Sequence, residues 1–140
     1  MSCYALDTNI VSYLLRGDKE IQERIYYEVK KGEGLIILPI VYYEVKRGLI
    51  DKNALVKFAT FERLCSMFGI DCMDTKTLDI AANIYADRKQ KGQQIEDADI
   101  LIAASCVAHE YILVTNNERH FLGINGLKIT NWLRESLPSI

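Results

Sequence analysis

The ten residues from Ala98 to Val107 read Ala-Asp-Ile-Leu-Ile-Ala-Ala-Ser-Cys-Val. A helix that is apolar on every side must sit at the centre of a domain, covered by other elements. Three further apolar runs stand apart from it: Tyr4-Ala5-Leu6, Leu35-Ile36-Ile37-Leu38 and Tyr111-Ile112-Leu113-Val114. The second is a continuous run, as a strand buried on both faces requires. Leu127-Lys128-Ile129 offers a fifth strand, after a short third one at Ile70-Asp71-Cys72.

Helical segments lie between these runs. Ile10–Leu15 begins one, broken at Arg16-Gly17-Asp18. Lys19–Lys31 is predicted helical, with Ile21, Ile25 and Val29 on its buried face. Pro39 opens a helix over about Ile40–Arg47 that ends at Gly48. Asp51 caps a long helix to Phe68 with a stripe of Leu55, Phe58, Phe61, Cys65 and Phe68. Asp74 or Thr75 caps another that reaches Lys91, with Leu78, Ala81, Ala82 and Tyr85 inward, and Gly92 ends it. Strand–helix alternation of this kind implies an α/β fold, a parallel sheet with helices on both faces. The 140 residues are expected to form one domain, 1–140. Ligands in such folds bind beyond the carboxyl ends of the strands.

At those ends stand polar groups. Asp7-Thr8-Asn9 follows the first strand, and Thr115-Asn116-Asn117 follows the strand at Tyr111–Val114. Asp99 lies inside the apolar helix, where an unpaired carboxylate is costly. Asp97 stands beside it and reads equally well as a helix cap. Glu44 lies in Tyr42-Tyr43-Glu44-Val45-Lys46-Arg47, and local pairing with Lys46 or Arg47 explains it poorly. Taken singly, Asp7 is a cap and Asn117 closes a turn. Gathered by the fold, Asp7, Glu44, Asp99 and Asn117 make an oxygen-only ligand set of the kind suited to Mg²⁺ or Mn²⁺. With no Cys or His nucleophile in the pattern, water is the expected attacking group, and phosphodiester hydrolysis the chemistry that most needs such a cluster.

These residues resemble the PIN-domain family, and within it the VapC-like toxins of toxin–antitoxin pairs. The resemblance rests on Leu6-Asp7-Thr8-Asn9, on Glu44 followed by Gly48, and on Gly92 with Ile95 leading into Asp99-Ile100-Leu101-Ile102-Ala103-Ala104. It continues through Val114-Thr115-Asn116-Asn117 with Phe121, to Gly126-Leu127 and Trp132. It implies a four- to five-stranded parallel sheet and Mg²⁺- or Mn²⁺-dependent endoribonuclease activity. Asp7 and Asp99 take the metal-binding positions, Glu44 is the third acid, and Asn117 stands where the family often has Asp. Thr8, Asn9 and Thr115 would support the ligands, and Asp97 would be an outer-shell or second-metal ligand. The family also implies an antitoxin protein as partner and a homodimer.

The net charge is −2, so no basic footprint announces nucleic acid. Lys46, Arg47, Lys89, Lys91 and Arg119 are the cations expected near the pocket, with Arg47, Lys91 and Arg119 as RNA contacts. Tyr26, Tyr27, Tyr42 and Tyr43 are dense enough to line a groove for a partner helix. Four cysteines without a C-x-x-C pair, no leader and no long apolar span indicate a reduced, cytoplasmic protein with no membrane association. The competing reading is a phosphoacceptor receiver-type signalling domain, with Asp7 at a metal, Asp74 as acceptor, Thr115 as switch and Lys128 as sensor. It leaves Glu44 and Asp99 idle.

Overall fold

The computed structural model describes residues 1–133. Four strands, β1 (Cys3–Leu6), β2 (Gly34–Ile36), β3 (Ile112–Val114) and β4 (Lys128–Thr130), form one sheet in the order β2-β1-β3-β4. Every pairing is parallel, with Tyr4 opposite both Leu35 and Ile112, and Val114 opposite Thr130. The expected strand at Ile70–Cys72 is reduced to a single bridge between Ile70 and Ile37. Asp71 and Cys72 turn away to reach the next helix, so the sheet has four strands, the lower of the two numbers expected.

The helices are α1 (Thr8–Leu15), α2 (Lys19–Lys30), α3 (Pro39–Asp51), α4 (Leu55–Phe68), α5 (Thr75–Gln90), α6 (Asp97–His109) and α7 (Glu118–Phe121). As its composition demands, α6 is the central helix: Ile100, Ile102, Ala103, Ala104, Ser105, Cys106 and Ala108 are buried. Its small side chains let it pack closely on α5 and on the sheet. Ser105, the polar residue among them, returns its hydroxyl to the Leu101 carbonyl at 2.9 Å.

Two boundaries and three faces differ from expectation. Gly48 does not end α3, which runs on to Asp51. A glycine costs a helix interior only about 1 kcal/mol, and packing against α1 and α4 outweighs that. Asp51 therefore closes α3 instead of capping α4, whose N-cap is Ala54. Leu55 and Val56 are consequently exposed, while Phe61 and Cys65 carry the inward stripe. On α2 the buried residues are Ile21, Arg24 and Glu28, while Ile25 is half-buried against the core and Val29 is exposed. That face is turned to receive Trp132, whose ring lies 5.4 Å under the Arg24 guanidinium and 5.1 Å from Tyr4. On α5 the inward set is Thr77, Ala81, Ile84 and Arg88, and Leu78 and Tyr85 are half-exposed. Arg88 is drawn inward by carbonyls it must satisfy, Leu122 O at 2.7 Å and His120 O at 3.2 Å.

Asp74 caps α5 as expected, its Oδ1 accepting from Thr77 N (3.0 Å) and Thr77 Oγ1 (2.9 Å). The Thr77 backbone bond, then the hydroxyl, holds the Asp74 carboxyl below its ordinary range. A depressed folded-state pKa contributes stability above the unfolded value of about 4, lost as pH falls through the folded value. Asp74→Ala is expected to melt lower than wild type at pH 7. Calorimetry should find the difference shrinking as pH is lowered below about 4.

The sheet order places a topological switch between β1 and β3: the chain leaves β1 toward β2 on one side and returns to β3 on the other. The crevice beyond their carboxyl ends is where α/β sheets bind ligands. Asp7 follows β1 there and Thr115 follows β3. Their backbones extend the ladder, with Asp7 N donating to Val114 O at 2.9 Å and Thr115 N to Thr130 O at 3.0 Å.

Candidate active site

Asp7 is both cap and site. As N-cap of α1 it accepts from the Thr8 amide at 2.7 Å through Oδ1. Its Oδ2 accepts from the Thr115 hydroxyl at 2.7 Å across the switch, and more distantly from Asn9 Nδ2 at 3.5 Å. The residue is only 4% exposed. Burial pushes its carboxyl above the ordinary range, the bonds from Thr115 and Thr8 pull it down, and the charges on Asp99 and Glu44 push it up again. Among the described residues no cationic side chain pairs with it.

Asp7, Glu44, Asp99 and Asn117 line one open cleft of about 630 Å³, with Thr8, Asn9 and His120. Four distant segments meet there: the end of β1, the middle of α3, the first turn of α6 and the loop after β3. Glu44 is held by Thr8, whose hydroxyl donates to Oε1 at 2.8 Å. Its Oε2 lies 3.8 Å from Arg47 Nη2, so the local pairing that seemed a poor explanation does form, at i+3. Asp99 Oδ2 lies 3.0 Å from His120 Nδ1.

The β3–α7 loop is held by amides. Thr115 Oγ1, having donated to Asp7, accepts from Asn117 N at 2.9 Å. Asn9 Oδ1 accepts from Asn116 N at 3.2 Å. Buried Asn131 donates to Asn116 Oδ1 at 3.1 Å and to Glu118 Oε1 at 2.9 Å. Thr8, Asn9 and Thr115 are thus all bonded to the acids or to the loop that carries Asn117. His120 and Asn131 escaped sequence reasoning. The signal for His120 was its position three residues after Asn117, on the same face of a short helix. Asn131 gave no signal.

Other expectations fare differently. Asp97 neither caps α6 nor lines the cleft. The N-cap is Glu96, without a side-chain cap bond, and Glu96 takes the place at the rim expected of Asp97. The reason is angular: Asp97 is the first residue of α6 and Asp99 the third, so the two project about 200° apart around the helix. Lys91 is bound to Asp87 at 3.0 Å and lines a different hollow with Gly123 and Ile124. Lys46 is occupied by Glu62 at 3.0 Å, and Lys89 lies over the Tyr85 ring. Arg119 lines a hollow that shares Gln94, Ile95 and His120 with the main cleft. Tyr26 and Tyr43 are exposed while Tyr27 and Tyr42 are half-buried.

The receiver layout fails on geometry. Asp74 lies close enough to His109, at the far end of α6, to feel its charge, and its neighbour Lys76 reaches Ala108 O at 3.4 Å. Asp99 is at the opposite end of that helix, whose 13 residues span about 20 Å. Lys128 begins β4, at the wrong end of its strand.

The donor set is all oxygen at its centre, which suits a hard divalent ion. Among the described residues no three Asp, Glu, His or Cys side chains are grouped so that together they could hold a metal ion. Asp99 is turned toward His120 and Glu44 toward Thr8. Mg²⁺ keeps several waters and needs only one or two carboxylates, so an open arrangement around a buried, uncompensated Asp7 fits it. The PIN domain pattern matches residues 4–126.

The chain belongs to the PIN-domain family. It is 31% identical over 133 residues to Ribonuclease VapC2 of Haemophilus influenzae, covering 93% of this chain and 98% of that protein. The tRNA(fMet)-specific endonuclease VapC of Shigella flexneri is 24% identical over 133 residues, covering 92% of this chain and 97% of that protein. The fold superposes on VapBC2 from Rickettsia felis, solved bound to a promoter DNA fragment, with a TM-score of 0.86 at 26% identity. That match covers 93% of this chain and 98% of the other. The three acids named from sequence, Asp7, Glu44 and Asp99, share the cleft with Glu96 at its rim, and the neutral Asn117 stands with them.

Proposed function

We propose that this PIN domain is a Mg²⁺- or Mn²⁺-dependent endoribonuclease, the toxin of a VapBC-like toxin–antitoxin pair. The observation that carries this reading is the buried Asp7 carboxylate at the sheet switch point, with no cationic partner among the described residues, and with Asp99 and Glu44 facing the same open cleft. Asp7 and Asp99, with Glu44, are the residues that would hold the ion. When bound, such an ion lowers the pKa of water and neutralises charge building on a phosphate.

The chain's own residues do the rest. Thr115 and the Thr8 amide fix both oxygens of Asp7, so the carboxylate is presented without rotational freedom. His120 fixes the orientation of Asp99, and Arg88 anchors the backbone that carries His120. Glu44 has Oε1 held by Thr8 and Oε2 only loosely paired with Arg47 at 3.8 Å, so Oε2 is the oxygen that would orient the attacking water and accept its proton. The Asn117 amide offers a donor to a phosphate oxygen and adds no repulsive charge. The water oxygen would attack phosphorus in line, the P–O bond opposite it would break, and the departing oxygen would take a proton from solvent while Glu44 takes the proton lost by the water.

The partner expected is a small antitoxin protein, for which the support is likeness to solved VapBC assemblies. A homodimer and a cytoplasmic setting belong to the same reading. No described helix is long and apolar enough to cross a membrane, and all four cysteines are free thiols.

Incubating the purified protein with total RNA and sequencing the new ends tests the function. Cleavage should require Mg²⁺ or Mn²⁺ and should vanish in Asp99→Asn. Ends that persist undiminished in chelator or in that variant would refute it. Thr115→Val removes the hydroxyl that pins Asp7 while keeping its volume. Groups of that kind typically contribute 10–100-fold to metal affinity or activity, so a loss of about that size in kcat/KM is expected.

A further inference from the structure

A second cleft, of about 210 Å³, adjoins the catalytic one and shares Thr8 and Glu44 with it. Its walls are α1, the second half of α3 and the first turn of α4. Arg16, Lys52 and Lys57 line it, one from each wall region, and all three are exposed. Among the described residues none of them has an acidic partner. Several other cations are paired with acids, as Lys46 is to Glu62, Lys91 to Asp87 and Lys31 to Glu28. Arg16 is held in place by the Tyr13 ring, 4.7 Å below its guanidinium. Ala54 gives the start of α4 no side-chain cap, so the positive end of that helix also opens beside the cleft.

This arrangement matters because the rest of the molecule opposes its substrate. The net charge is −2, and the catalytic cleft is itself lined by carboxylates. Bound divalent charge offsets repulsion at the scissile phosphate, and does little for the phosphates on either side. A polyanion crossing the cleft needs cations where its neighbouring phosphates lie. Three unpaired cations beside Glu44 meet that need, whereas an RNA contact at Lys91 would first have to break its pair with Asp87.

We propose that the cleft between α1, α3 and α4 is a phosphate subsite that holds the RNA backbone next to the scissile bond, with Arg16, Lys52 and Lys57 as its contacts. The proposal rests on the endoribonuclease reading. Contacts of this kind carry no base specificity; they set register and affinity.

The test is the salt dependence of binding a mixed-sequence, single-stranded 20-nucleotide RNA, followed by fluorescence anisotropy in chelator so that nothing is cut. Each phosphate contact contributes about 0.7 to the slope of log K against log salt for a single strand, so three contribute about 2. Over a fourfold rise in salt the wild type should lose about 20-fold more affinity than Arg16→Gln/Lys52→Gln/Lys57→Gln. The control Lys19→Gln/Lys30→Gln/Lys128→Gln removes the same charge elsewhere and should keep the wild-type slope. A triple variant with an unchanged slope, or a control with an equal drop, overturns the subsite while leaving the endoribonuclease reading intact. Wild type that binds no RNA in chelator overturns the subsite, while loss of cleavage in the Mg²⁺ assay is what overturns the endoribonuclease reading. Poly-glutamate binding that is lost in the variant while the RNA slope holds would assign the cleft to an acidic protein segment and overturn the RNA assignment.

Discussion

Asp7→Asn is expected to abolish RNA cleavage and, in chelator, to make the protein more stable than wild type. The two effects have one cause. Asn keeps the shape of Asp and an oxygen to accept from Thr8 or Thr115, so the fold is preserved. The negative charge that would hold a divalent ion is removed. Charge stabilisation by such an ion supplies several kcal/mol, so at about 1.4 kcal/mol per decade the loss is at least about a hundredfold. The same charge is a burden on the folded state when no cation is present. Asp7 is buried beside Asp99 and Glu44, and its folded pKa lies above the ordinary value.

The sign follows from proton counts. Between the unfolded value, about 3.9, and the raised folded value, the native state holds more proton on Asp7 than the unfolded state does. Stability attributable to this group therefore falls as pH rises through that window, and stays reduced above it. Asp7→Asn lacks this penalty. In chelator its urea midpoint should exceed that of wild type at pH 7, and the two should converge toward pH 4. A variant less stable than wild type at neutral pH would mean that the carboxylate is compensated in some other way.

The sequence made the strands and the central helix legible because both are written as uninterrupted apolar runs. A run such as Leu35–Leu38 has few alternatives to a strand covered on both faces. Asp99 stood out by the same logic, as a charge inside α6. Asp7 and Glu44 were less conspicuous: Asp7 does cap α1, and it is the cleft they share that adds a site to the cap and surface readings. What stayed hidden depends on contacts between distant segments. The buried faces of α2 and α5 are each turned from the apolar stripe by an arginine, Arg24 meeting Trp132 and Arg88 meeting the α7 carbonyls. Neither partner is near in sequence. Gly48 was given the force of a stop signal that a helix held between neighbours overrides. Asn131 supports the cleft from beyond β4, and an amide that works by bridging two loops has no local signature. The cations of the second cleft come from Arg16, Lys52 and Lys57, which read individually as ordinary helix-end residues.

Adding Mg²⁺ or Mn²⁺ should reverse the burden on Asp7 and raise the melting temperature of the wild type. An ion at 100 times its dissociation constant stabilises the state that binds it by about 2.7 kcal/mol. For a chain of this size that corresponds to a rise of roughly 10 °C. Asp7→Asn and Asp99→Asn should lose most of that rise, since each removes one of the acids proposed to hold the ion. Asn117→Asp tests the opposite direction. Asn117 lines the cleft with its side chain exposed and its backbone pinned to Thr115, so an added carboxylate faces the same space without being buried. In chelator this variant should melt slightly below wild type, because another acid now joins Asp7, Glu44, Glu96 and Asp99 around the cleft. With the ion present it should reach its full thermal shift at a lower concentration than wild type. Differential scanning fluorimetry across a Mn²⁺ series separates these outcomes. An equal ion-dependent shift in wild type and Asp7→Asn would place the ion away from the switch point between β1 and β3.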